Sequence, residues 1–217
     1  MQRAMQTAKR NFIEKNLNKI GHLKLVRGAN DLQQETEQIE NWITGCIKND
    51  RRAQEALYKA YYRAMISLCL RYTGSSEDAV EVLNNGFFKV FKNIQQYDRK
   101  RGSLYTWIRI LIINSCLDFI KQKGKIESGK ELEEGMDVAI PAGVLEKLEA
   151  DELLSMIRRL PPASAAVFNL FAIEGFSHKE IAAMMRISEG TSKWHLSEAR
   201  KKLQSMIQLE NIHERET

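Results

Sequence analysis

Between Ile39 and about Lys125, apolar residues return every three or four positions. Leu57, Tyr61, Ala64 and Leu68 make one such stripe, and Leu83, Phe87, Val90, Phe91 and Ile94 make a second. That period sets one face of each helix on a shared core. The loop from Tyr97 to Ser103, YDRKRGS, then leads into an apolar-rich helix from Leu104 to about Lys121, in which Trp107, Leu111 and Leu117 are the expected anchors. Residues 1–36 have weak periodicity and a basic start. They read as an N-terminal extension with at most one loose helix.

A second patterned region begins near Leu153. Leu153, Leu154, Ile157 and Leu160 make a short helix stopped by Pro161 and Pro162, because proline lacks the amide a continuing helix needs. Ala166, Val167, Leu170 and Phe171 make the next helix, and Gly175 ends it by accepting a left-handed cap position. Ser177 and Glu180 then stand at capping-box spacing before HKEIAAMM, and Ser188 is placed to cap a further long helix. Two caps about eleven residues apart, with Ile181, Ala182 and Met185 inward and Ile187 in the turn, are the layout of a helix-turn-helix. A plain bundle of three small helices has the same spacing, and periodicity alone leaves both open. In the DNA-binding case the second helix presents Lys193, His195 and Arg200 to a major groove, while Leu196, Ala199 and Leu203 hold it to its domain.

The fold class predicted is therefore all-α: two small helical domains joined by a linker, the second ending in a helix-turn-helix. The expected divisions are an extension at 1–36, a first domain at 37–126, a linker at 127–152, a second domain at 153–210 and a tail at 211–217. Twelve glycines and only three prolines in 217 residues suit a mainly helical chain.

Charge sharpens this division. The net charge is only +5, but the linker carries nine acids against Lys130 and Lys147, a net −7, which leaves +12 for the rest. A polyanion would bind the flanking domains and be repelled by their connector. The linker is either a solvated spacer kept extended by its acids or one that also tunes access to the basic domains. From Tyr97 to Glu127 the charge is +4, carried by Arg99, Lys100, Arg101, Arg109, Lys121, Lys123 and Lys125. A basic helix can track phosphates, and the loop before it can hold a base once a duplex opens. Asn114 and Lys121 are about two helical turns apart and can face one strand. Trp107, set among Leu104, Ile110 and Leu111, fits a core position better than a stacking platform.

Cys46, Cys69 and Cys116 are odd in number and widely spaced, which supports neither a disulfide framework nor structural zinc and suits a reducing compartment. The opening twenty residues are charged throughout and show no secretory signal. The apolar run from Leu104 to Ile120 is too short, and too broken by Arg109, Asn114 and Asp118, to span a membrane.

With these motifs in hand, the chain resembles the extracytoplasmic-function sigma factors of bacterial RNA polymerase, small proteins that keep regions 2 and 4 joined by a linker. The resemblance covers about Gln38 to Lys125 and about Leu153 to Ile207. It rests on AQEALYKAYY, EDAVEVLNNGFFKVFKNI and GSLYTWIRILIINSCLDFIKQK in order for region 2. For region 4 it rests on the run from LPPASAAVF through EGFSHKEIA and ISEGT to ARKKL.

The resemblance implies a cytoplasmic protein that binds core RNA polymerase and directs promoter recognition, DNA opening and transcription initiation, with no cofactor. Region 2 would recognise the minus-ten element through Arg99, Lys100, Arg101, Arg109, Asn114 and Lys121. It would also dock on the beta-prime clamp through Glu81, Asn84 and Asn85. Region 4 would read the minus-thirty-five element through Lys193, Trp194, His195, Glu198 and Arg200 and sit near the beta flap. The linker would thread toward the active-site channel, and an anti-sigma protein is an expected partner.

Some positions depart from the family pattern. Asn84 and Asn85 stand where Gln and Glu are usual, Glu81 where Asp is usual, and Ala165 where Arg is usual. Trp194 replaces a small residue and Glu198 a basic one. Glu198 either accepts from a cytosine amine or repels phosphate. Trp194 either meets a thymine methyl or sugar, or is covered by the linker or a partner.

Competing classes have less behind them. The histidines His22, His178, His195 and His213 are scattered, and no phosphate loop or nucleophile elbow is present, so catalysis is not expected. A stand-alone helix-turn-helix regulator would leave the ordered region 2 motifs unused. A polymerase-binding protein without promoter selectivity is the other alternative, kept open by Asn84, Asn85 and Glu198.

Overall fold

The computed structural model describes residues 29–123 and 150–216, and every described element is helical. In chain order these are α1 (Ala29–Ile47), α2 (Arg51–Leu70), α3 (Ser76–Asn93), α4 (Leu104–Gln122), α5 (Ala150–Arg158), α6 (Pro162–Phe168), α7 (His178–Met185) and α8 (Glu189–Glu216). Short 3-10 turns at Ile94–Gln96 and Arg99–Arg101 lie between α3 and α4. Most of the expected extension and nearly all of the acidic linker fall outside the described residues. α1 starts at Ala29, inside the segment expected as extension, and α8 continues to Glu216 through the segment expected as a tail.

The chain divides into two compact units, and the division does not follow the linker. One takes the residues up to Ile66 with Leu83–Ile112; the other takes Ser67–Val82 with Ile113 onward.

In the first unit, Asn49 adopts a left-handed conformation (φ 58°) that its short amide tolerates and lets the chain turn from α1 into α2. Leu57, Met65, Leu83, Phe87, Val90, Ile94, Leu104, Ile108 and Ile112 are buried. Phe87 packs on Tyr58 with ring centroids 4.7 Å apart. Gly86 matters for the same core: a Cβ there would lie 2.4 Å from Ile112 Cδ1 and 3.4 Å from Ile112 Cα, so the missing side chain lets α3 and α4 close up.

Of the anchors expected on α4, Leu117 is buried while Trp107 and Leu111 are half-buried. The stripe that sinks deepest is Leu104, Ile108, Ile112 and Cys116, one position along from Trp107. Ile113, Leu117, Phe119 and Ile120 widen the burial in the second half of this helix, leaving Asn114, Asp118 and Lys121 on its other side.

In the second unit, Cys69 and Cys116 bring their sulfurs within 4.0 Å as free, buried thiols. Pro161 caps α6 and Pro162 is its first residue, where the absent amide costs no hydrogen bond. The helix expected around Ala166–Phe171 then widens into a π-turn over Asn169–Ile173, with the Glu174 amide donating to the Asn169 carbonyl at 2.9 Å. Gly175 follows at φ 83°, the left-handed position expected of it. α8 lies against α6 and α7 and contributes Leu196, Ala199, Leu203 and Ile207 to the core, beside Met156, Ile157, Val167, Leu170, Ile181 and Met185.

Candidate nucleic-acid interface

The helix-turn-helix is built from local chemistry. Ser177 Oγ accepts from the Glu180 amide at 3.3 Å, and the Ser177 amide donates back to Glu180 Oε2 at 2.8 Å, completing the capping box. The Ser177 hydroxyl also donates to Glu180 Oε2 at 2.7 Å, and this bond, with the one from the Ser177 amide, holds the Glu180 carboxyl below its ordinary pKa. Arg186 closes α7 in a left-handed conformation (φ 58°, ψ 49°), and the Ile187 amide then reaches back to the Ala182 carbonyl at 3.1 Å. Ser188 Oγ accepts from the Thr191 amide at 2.9 Å and starts α8.

α8 sorts its residues by face. Lys193 is exposed. Trp194, Glu198 and Lys201 recur at i, i+4 and i+7 on the side away from Leu196, Ala199 and Leu203. Lys201 is thus a member of this face that was not among the residues expected to read DNA; its spacing from Trp194 was the available signal. Its ammonium lies 3.5 Å from Glu198 Oε1, an exposed pair that adds little to stability.

The flanks of α8 are engaged within the domain. His195 Nδ1 lies 3.0 Å from Ser164 Oγ, tying α8 to α6, and burial lowers its pKa while Glu198 opposes the shift. Trp194 meets the His195 ring edge-on at 4.9 Å. Arg200 lies over the Phe171 ring, 5.9 Å from its centroid, within cation–π range. Phe171 in turn stacks on His178 at 4.6 Å, and His178 Nδ1 lies 2.9 Å from Ser192 Oγ.

The basic loop is shaped with equal care. Asp98 accepts from the Lys100 amide at 2.9 Å and caps a 3-10 turn on which Arg99, Lys100 and Arg101 are all exposed. Tyr97 donates its hydroxyl to the Gly102 carbonyl at 3.1 Å, closing the loop, and its ring packs on Trp107 at 5.7 Å. Trp107 therefore supports the loop from below, between the two roles considered for it. Arg99 also reaches Glu40 Oε1 on α1 at 2.6 Å, an exposed pair that adds little to stability.

Along α4, Asn114 and Lys121 fall on one side at a separation of seven, whereas Arg109 lies about 120–140° around the axis from both. The six residues expected at the minus-ten element therefore divide into a loop cluster, one helix face and Arg109 apart from that face.

On α3, Glu81, Asn84 and Asn85 share an exposed face at i, i+3 and i+4. Tyr58 donates to Asn84 Oδ1 at 3.0 Å. The same face continues to Phe88, which is 68% exposed, the highest among the described large apolar residues. An apolar side chain seven residues after Glu81 was the sequence signal for it. Among the described residues, no three His, Cys, Asp or Glu side chains form a metal-holding group, and no helix is long and apolar enough to cross a membrane.

Comparison with known proteins agrees with this geometry. Residues 57–126 match the family model for sigma-70 region 2 and residues 150–203 match that for sigma-70 region 4, together more than half of the chain. The ECF RNA polymerase sigma-E factor of Haemophilus influenzae is 24% identical over 173 residues, covering 74% of this chain and 90% of that protein. The RNA polymerase sigma-H factor of Pseudomonas aeruginosa is 22% identical over 184 residues, covering 79% and 95%. Among solved structures, CnrH in complex with the cytosolic domain of CnrY is similar over 79% of this chain and 97% of that one, at 19% identity and a TM-score of 0.45.

Two helical modules in this order, the second ending in a helix-turn-helix, define a sigma-70-type initiation factor. The chain belongs to the extracytoplasmic-function group of that family, and it directs RNA polymerase to promoters.

Proposed function

We propose a division of labour among the three surfaces. The outer face of α8, with Lys193, Trp194, Glu198 and Lys201, lies in the major groove of the upstream promoter element. His195 and Arg200 set its angle through Ser164 and Phe171. The loop carrying Arg99, Lys100 and Arg101 holds the opened minus-ten strand, and Asn114 and Lys121 follow the phosphates beyond it. Glu81, Asn84, Asn85 and Phe88 form the docking face for core polymerase at the beta-prime clamp, with region 4 near the beta flap. An anti-sigma protein, common in this family, completes the set of partners.

The observation that carries the reading is α8 itself. Its own cap at Ser188, the capping box that starts α7 before it, and an apolar underside leave one outward face, the arrangement a recognition helix needs. Run-off transcription with purified core polymerase over a genomic fragment library tests it. A restricted set of promoters is expected. Glu198→Ala is expected to relax preference at one upstream position by about 1–3 kcal/mol, as loss of a cytosine contact would. Transcription that ignores promoter sequence at every salt concentration defeats the reading. A uniform gain in affinity would instead assign Glu198 to phosphate repulsion.

A further inference from the structure

Trp194 and Glu198 stand one helical turn apart on α8, both half-buried and both on the side away from Leu196, Ala199 and Leu203. The indole of Trp194 meets the His195 ring edge-on at 4.9 Å, and His195 Nδ1 lies 3.0 Å from Ser164 Oγ on α6. A large apolar ring on the outer face is thus supported from behind by a side chain tied to a neighbouring helix. The Glu198 carboxylate has one hydrogen-bonded partner among the described residues, Lys201 at 3.5 Å, which is long for a charge-assisted bond. Most of its acceptor capacity stays open.

We propose that these two residues read a thymine and a cytosine on adjoining base pairs of the upstream promoter element, Trp194 by packing on the thymine 5-methyl group and Glu198 by accepting from the cytosine N4 amine. The inference deepens the proposed function and rests on it, since α8 must lie in the major groove.

The base edges decide the assignment. In the major groove the thymine methyl is the apolar group on offer, and the other bases present amines, N7 or O6. An indole laid on that methyl removes apolar surface from water, whereas laid on an amine or a lone pair it strands a polar atom. A carboxylate only accepts hydrogen bonds. Guanine N7 and O6 and thymine O4 also only accept, so they repel it. Adenine offers its N6 amine beside the N7 acceptor, while cytosine offers N4 with no acceptor on the same base. Cytosine is therefore the base that Glu198 approaches without facing a lone pair.

The spacing makes the two base pairs neighbours. Four residues rise about 6 Å along a helix. In zinc-finger helices, which also lie in the major groove, residues about three positions apart contact successive bases. Lys201 sets a positive charge beside the Glu198 carboxylate and offsets its repulsion of the flanking phosphates.

The experiment uses the full chain bound to core polymerase and a promoter recovered from the run-off library, with each upstream base pair changed in turn and the minus-ten element kept. Competition binding gives the affinity ratio at each position. Two adjoining positions are expected to prefer thymine and cytosine. Uracil in place of that thymine removes only the methyl. It is expected to weaken wild-type binding about fourfold, the scale of one buried methyl group, and to make no difference to Trp194→Ala. Glu198→Gln is expected to shift the neighbouring preference from cytosine toward adenine by about tenfold, because an amide pairs with adenine N6 and N7 together. Circular dichroism checks that both variants keep their helicity. Should Trp194→Ala lose it, the uracil substitution with wild-type protein tests the methyl contact without a variant.

Uracil bound as tightly as thymine at every upstream position overturns the assignment of Trp194, and an unchanged cytosine preference in Glu198→Gln overturns that of Glu198. Either result, or two sensitive positions that do not adjoin, ends the paired reading while α8 keeps its place in the groove. Binding that ignores every upstream base pair instead removes α8 from the groove, and the proposed function falls with it.

Discussion

His195 sits on the recognition helix, yet its ring is turned to Ser164 on a neighbouring helix. Burial holds its pKa below the ordinary 6.5, with Glu198 pulling weakly the other way. In the unfolded chain the imidazole takes up its proton first as pH falls. The folded state therefore keeps this contribution above about pH 6.5 and loses it as acid approaches the lower folded value. Melting temperature is accordingly expected to drop on acidification below that point, with a shallower slope for His195→Asn; equal slopes would show that His195 is not the group responsible. The caps at Ser177 and Ser188 were legible in the sequence because their partners lie three residues away. The engagement of His195 and Arg200 was not, because Ser164 and Phe171 reach them only through the packing of separate helices.

Among the elements, α3 combines a buried stripe that fixes its place with an exposed stripe that remains available. Phe88 ends the exposed stripe and makes so little contact with the core that its removal should not disturb folding. Phe88→Ala is expected to weaken binding to core polymerase by about tenfold, the scale of an aromatic anchor, with an unchanged melting temperature. Titration of labelled core enzyme measures the first and calorimetry the second; unchanged affinity removes this face from the docking surface. The existence and order of the helices followed from apolar period and turn residues. Two features did not. The π-turn at Asn169–Ile173 is a one-residue change in hydrogen-bond register that leaves the apolar period almost intact. The early start of α1 falls where the apolar signal is weak, since most of that helix is polar.

For the molecule as a whole, the order of the two modules was readable because each has its own motif and the acidic linker separates them in composition. The meeting of Arg71 with Asn169 and Glu174 was not readable, since it joins polar groups about a hundred residues apart. The pair of Arg71 and Glu174 also bears on how the protein absorbs heat. Two modules that melt independently give two endotherms, each with its own midpoint. If melting of the C-terminal helices leaves Arg71 without its carboxylate, the cost is felt in both halves and their transitions draw together. A single calorimetric peak with an enthalpy sized for both modules together is expected for the wild type, and two resolved peaks for R71E. The same pair of charges would then set the cooperativity of the protein, and with it how sharply a small rise in temperature changes the fraction of molecules in which the two halves act apart.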